Sequence, residues 1–155
     1  MNLVRSGTTR FKCFPGATTA KLNYYLVPEL REIKYTTAMI PVATNDIFDK
    51  TEEEIVRELG EISLTCMNHG VERIIFSRVI RRRTRRNYIK EKRCYINSLL
   101  EGMCSRGWKT DKGILTDFVC NDNILEVDLD HGGLHLEESG SIKLANNILM
   151  CINGH

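Results

Sequence analysis

Along this chain the spacing of apolar residues switches repeatedly between two and three-to-four, the periods of a half-buried strand and of an amphipathic helix. Residues 8–14 (TTRFKCF) alternate as a strand does, and Pro15-Gly16 then breaks the pattern. From Thr18 or Thr19 to Ile33, the residues Leu22, Tyr25, Leu26, Leu30 and Ile33 fall on one helical face, with Pro28 set to kink or break it. Residues 36–43 (TTAMIPVA) read as an apolar strand in which Pro41 belongs at a bulge or near the end. Thr51 and Glu54 form a capping box opening a helix that turns Ile55, Leu59, Ile62 and Cys66 inward, with Gly70 just past its end. Residues 71–80 (VERIIFSRVI) make the next strand. Residues 87–106 make a helix with Ile89, Tyr95, Ile96, Leu99, Leu100 and Met103 as its apolar set. A short strand at 114–120 and a last helix at 139–152, built on Ile142, Leu144, Ala145, Ile148 and Leu149, complete the pattern. Four alternations of strand and helix predict helices packed against a mainly parallel sheet, a three-layer α/β/α sandwich.

Length agrees with a single domain spanning residues 1–155, since about 100–200 residues make one. The apolar runs fall far short of the roughly 18–20 residues that cross a bilayer. The opening residues MNLVRSGTTR lack the apolar core of a signal peptide, so the expectation is an intracellular, cytoplasmic chain. With 22 basic and 20 acidic residues, the net charge of +2 gives no global field toward nucleic acid or membrane. Cys13, Cys66, Cys94, Cys104, Cys120 and Cys151 show no CxxC or zinc spacing and read as reduced, mostly core residues.

In an open parallel sheet, chemistry sits in loops beyond the carboxyl ends of the strands. Those loops are residues 14–19, 43–50, 80–87 and 121–138. Ala43-Thr-Asn-Asp46 offers an amide and a carboxylate at such an end, or simply a turn, since Asn and Asp bond their own backbone. Asp128-Leu-Asp-His-Gly-Gly-Leu-His135 gathers carboxylates and histidines before the last helix. Gly132-Gly133 argues against a helical HxxxH metal pair, which leaves a loop histidine able to titrate near neutrality. The block from Arg78 to Arg93, including Arg81, Arg82, Arg83, Arg85 and Arg86, suits phosphate. It reads either as a nucleic-acid surface or as a solvated loop that the acidic residues between Asp49 and Glu61 neutralise across the fold.

Taken together these loops resemble the SGNH (GDSL-like) hydrolase family, in the divergent form found in animal genomes beside retroelement-derived reading frames. Phe14-Pro-Gly-Ala-Thr18 resembles the family's second block, whose glycine amide helps form the oxyanion hole. Val42-Ala-Thr-Asn-Asp46 resembles the third, GTND, whose asparagine supplies another donor. Gly133-Leu-His-Leu136 with Ser139-Gly140 resembles the last, DGLHLN…G, whose histidine is the general base. The resemblance implies an SGNH/flavodoxin-like fold, ester hydrolysis without metal or cofactor, Gly16 and Asn45 in the oxyanion hole, and His135 as base.

The sequence departs from that pattern at chemically decisive points. The GDS block with the nucleophilic serine is absent, and no strand and crossover helix fit before the strand at residue 8, so the domain is expected to be N-terminally truncated. Ala43 replaces the third-block glycine and Gly132 the last-block acid, leaving Asp130 (or Asp128) as a substitute orienting acid. In serine-protease systems loss of the triad aspartate costs about 10⁴ in turnover and loss of the serine about 10⁶. The expectation is therefore a hydrolase-type domain that is inactive or impaired as written, a pseudoenzyme or fragment whose partner, if active, is a small ester. The alternative is a non-catalytic module that binds nucleic acid through the arginine block, or protein. Losing a central strand should also leave unpaired edges and apolar faces, and hence poor stability or self-association.

Overall fold

The parallel pairing predicted from the alternating pattern is present in the computed structural model, which describes residues 17–41, 46–105, 115–119, 121–133 and 135–153. Strands β1 (Thr37–Pro41), β2 (Arg73–Ser77) and β3 (Leu115–Val119) lie in the order β1-β2-β3, each pair parallel. The register aligns Ile40 with Phe76 and Phe76 with Phe118. Helices α1 (Thr19–Glu32), α2 (Glu52–Asn68), α3 (Asn87–Ser105) and α4 (Glu138–Asn153) alternate with the strands, and a 3-10 turn, Glu126–Asp128, precedes the last one.

Side chains leave a strand on alternate faces, so the sheet sorts its own layers. Ile40, Ile74 and Phe76 point to one face and join a core with Leu30 of α1, Ile55, Leu59 and Ile62 of α2, and Ile89, Ile96 and Leu100 of α3. Ile75 and Val119 point to the other face, where Cys151 and Ile148 of α4 cover them and Met39 packs alongside. Ile74 to Ser77 are all buried, which is why β2 reads as a continuous apolar run rather than an alternating one. Among the described residues, three helices cover one face and one covers the other.

Helix α2 starts where its capping box says it should. The Thr51 hydroxyl accepts from the Glu54 amide at 3.2 Å, while the Glu54 carboxylate accepts from the Thr51 amide at 2.8 Å. These bonds to Thr51 hold the Glu54 carboxyl below its ordinary pKa. Gly70, with φ of +89°, follows the end of the helix as expected. Pro41 closes β1, where its missing donor costs the ladder little.

Other expectations change. Helix α1 runs through Pro28 without ending, because the carbonyl deprived of a partner belongs to Tyr24 on the solvent side. Tyr25 and Tyr95 do not join the core: both are exposed. Ile142 and Leu149 of α4 face outward too. Cys66 and Cys151 are buried as expected, but Cys94 is exposed, and Cys13 and Cys120 lie outside the described residues, as does the strand expected at residues 8–14. Burial pushes the Cys66 thiol up to about 11, so it stays protonated. Since Ile62 is fully buried between α2 and the sheet, Ile62→Ala should cost about 2–5 kcal/mol of unfolding free energy in a urea titration.

Candidate functional site

Parallel strands place all their carboxyl ends on one rim. Here the segments leaving that rim are residues 46–50 after β1, 78–86 after β2 and 121–137 after β3. The start of α1 joins them through Asp46. This side chain is almost fully buried, and its Oδ2 accepts from the Thr19 amide at 2.8 Å. Lys50 Nζ lies 3.1 Å from Asp46 Oδ1 and donates to Glu58 Oε2 at 2.6 Å, while the Thr19 hydroxyl also donates to Glu58. Partial burial pulls the Lys50 pKa down, but the bonds to Glu58 and Asp46 outweigh it, so the ammonium sits above its usual value and stays charged. Asp46 thus opens a turn through its carbonyl and, through its carboxylate, ties the segment after β1 to the start of α1.

Arginines carry this junction across the rim. The Arg82 guanidinium stacks 4.7 Å from the centre of the Phe48 ring, tying the segment after β1 to the segment after β2. Its neighbour Arg83 holds the next loop: its amide donates to the Gly133 carbonyl at 2.9 Å, and its guanidinium donates to the carbonyls of His131 at 2.8 Å and Glu126 at 3.2 Å. Gly133 has φ of +69°, and a Cβ there would lie 2.1 Å from Arg83 Cβ. No other residue fits that contact without moving the loop.

The loop itself is a tight hairpin closed by the Leu129–Leu136 bridge, by the Asp130 amide donating to the His135 carbonyl at 2.7 Å, and by the Glu137 amide donating to the Asp128 carbonyl at 2.8 Å. His135 stands on its return arm with an exposed side chain. Asp130 faces it, and its Oδ1 accepts from the His135 backbone amide at 3.2 Å. The same oxygen lies 3.6 Å from the point where a Cβ on Gly132 would be.

Asp128 anchors the hairpin to α4. It is buried and accepts from Lys143 Nζ at 2.7 Å, the Leu125 amide at 2.8 Å and the Ser139 hydroxyl at 2.7 Å. The bond from Lys143 is the main cause that brings its carboxyl down to about 2, followed by those from Leu125 and Ser139.

Sequence reasoning named Arg83 only as part of the basic block and Asp128 as an alternative orienting acid, and missed what they hold. Arg83 binds loop carbonyls, and the Asp128 carboxylate is bonded to Lys143, Ser139 and Leu125 rather than to His135. A run of six arginines shows which residue type is present, not which of them reaches carbonyls some 45 positions away. Of the other block residues, Arg81, Arg85 and Arg86 are exposed, with the Arg86 guanidinium donating to the Tyr88 hydroxyl at 3.3 Å. The acidic run does not neutralise the block in the way expected. Glu58 and Glu61 are taken locally by Lys50 and Arg57, whereas Arg78 pairs with Glu101 and Asp122, each at 2.6 Å. Gly16 and Asn45 lie outside the described residues.

Comparison with known proteins places the fold. No protein-family description matches the chain, and no curated protein does. Among solved structures, a carbohydrate esterase of family 3 from Talaromyces cellulolyticus superposes with a TM-score of 0.73 at 13% identity, over 96% of this chain and 75% of that one. A protein assigned as an acylhydrolase, from Bacteroides fragilis NCTC 9343, superposes with a TM-score of 0.63 at 17% identity, over 90% of this chain and 71% of its own. The chain thus shares the α/β fold of these two structures, helices alternating with a small parallel sheet.

Two measurements probe the rim. The Asp128 contribution should be complete above the ordinary carboxylate pKa near 4 and be lost as pH falls through about 2. Urea midpoints between pH 5 and 2 should therefore fall less steeply in Asp128→Asn, which starts from a lower value. Gly133→Ala should lower Tm by several degrees, more than any exposed Gly→Ala change, because strain and steric overlap act together.

Proposed function

We propose that the chain is an SGNH-type hydrolase scaffold in which His135 is the general base, the Gly16 amide and the Asn45 side chain are the oxyanion donors, and Asp130 steadies the His135 segment. One observation supports this above all. A path of contacts runs from Thr19 and Asp46, which follow Gly16 and Asn45 in sequence, through Phe48 on Arg82, to Arg83 on the Gly133 carbonyl, two residues from His135 in sequence. Oxyanion donors act by being fixed before charge develops, and these ties are what would fix them. In a complete site a serine hydroxyl attacks the ester carbonyl, its proton passes to His135, and the alcohol leaves with that proton while the acyl group stays on the serine.

No serine or cysteine among the described residues is bonded to the His135 ring. Ser139 donates to Asp128, Ser77 accepts from Asn121 at 2.7 Å, and Ser63 donates to the Leu59 carbonyl at 2.9 Å. On this reading the described residues supply the base without a nucleophile, and small esters are the substrate class once a serine completes the site. Nucleic-acid binding is the weaker reading, because Arg82 is spent on Phe48 and Arg83 on loop carbonyls. The test is hydrolysis of 4-nitrophenyl acetate. The isolated chain should release nitrophenol at the buffer rate, and His135→Ala should not change it. Turnover above buffer that disappears in His135→Ala would overturn the silent-site reading and reveal a nucleophile.

A further inference from the structure

Helix α4 is apolar on two sides, and only one of them is used. Its inner side packs Ile148 and Cys151 on Ile75 and Val119. One flank is polar and occupied: Lys143 pairs with Asp128, and the Asn147 amide donates to Asn121 at 3.1 Å and to Asn123 at 2.8 Å. The opposite flank carries Ile142, Ala145, Leu149 and Ile152, spaced as i, i+3, i+7 and i+10, the seam of a helix that packs along another helix. All four are exposed, Ile142 and Leu149 at 55% each and Ile152 at 39%. Within α4 only Glu138 and Lys143 are charged, so nothing charged follows position 143. A solvated helix face ordinarily carries charge.

We propose that this flank is a homodimer interface, occupied by α4 of a second copy lying antiparallel. Two features of the seam select that occupant. The spacing 3-4-3 reads the same in both directions, so a two-fold axis at its centre sets Ile142 against Ile152 of the other copy and the small Ala145 against the large Leu149, twice. Small facing large is how apposed helices fill the space between them. The one charge on this stripe, Glu138, stands a turn before Ile142 and outside the span from Ile142 to Ile152. Antiparallel self-pairing therefore leaves the two copies' Glu138 at opposite ends and brings no like charges together. A helix of 16 residues is about 24 Å long, so the contact is small and the dimer should be weak, with a dissociation constant on the order of micromolar.

Sedimentation velocity over a concentration series from about 5 to about 200 µM tests this across the range such an affinity demands. The wild-type chain should pass from monomer to dimer. Leu149→Glu and Ala145→Glu should each raise the dissociation constant at least tenfold with the far-UV circular dichroism unchanged. Ala145 is an exposed small residue, so that variant keeps the test alive should Leu149→Glu fail to fold. Tyr24→Glu, on the exposed side of α1, should leave the dissociation constant unaltered, and so should His135→Ala, which separates this interface from the hydrolase reading. A chain that stays monomeric throughout would overturn the proposal. So would association that neither seam variant weakens, or that Tyr24→Glu weakens equally.

Discussion

The parallel pairing of β2 with strands on both of its sides is the constraint from which the remaining features follow. Parallel strands deliver every return loop to the same edge, and β2, buried on both faces, holds its neighbours in a fixed register. Each loop at that edge begins from a strand end that cannot move independently. What a loop does there then depends on which side chains reach across to the next one. Asp46 reaches back to the start of α1, Arg82 stacks on Phe48, and Arg83 seizes the carbonyls of the hairpin that bears His135.

These ties differ in kind, and the difference bears on function. Asp46 is buried, so its bond to the Thr19 amide is made where water cannot compete and removing it would strand a polar group. Arg83 is exposed, but its fork meets several carbonyls at once and its amide meets another, so geometry rather than charge fixes the loop. Asp130 is held by the hairpin register, which sets residue 130 opposite residue 135 and lets its carboxylate accept from the His135 backbone amide.

Among the described residues the two faces of the sheet are unequally covered. On the side of α1, α2 and α3 the core is thick and continuous, with Ile55, Leu59, Ile62 and Ile96 inaccessible to water. On the side of α4 it is a small cluster around Ile75, Val119 and Cys151. On that side the exposed apolar flank of α4 is the surface on which we propose association. The rim with its loops and the flank of α4 are separate surfaces. Chemistry at one and assembly at the other need not interfere.

Local rules made much of this chain readable. The capping box at Thr51 and Glu54, the inward stripe of Ile55, Leu59, Ile62 and Cys66, and the placing of Pro41 at a strand end depend on neighbours within a few residues, and they came out as the spacing predicted. So did the alternation of strand and helix that fixes the class of fold. Tertiary structure alone decided which apolar residues of α1, α3 and α4 turn inward, because Tyr25, Tyr95, Ile142 and Leu149 satisfy the helical period as well as their buried neighbours do. It alone chose Arg83 from a run of arginines and Asp128 from a run of acids, since the partners of each are brought near by the sheet and not by the chain. Periodicity records which face of an element is apolar, whereas a contact between distant residues exists only once the elements have been assembled.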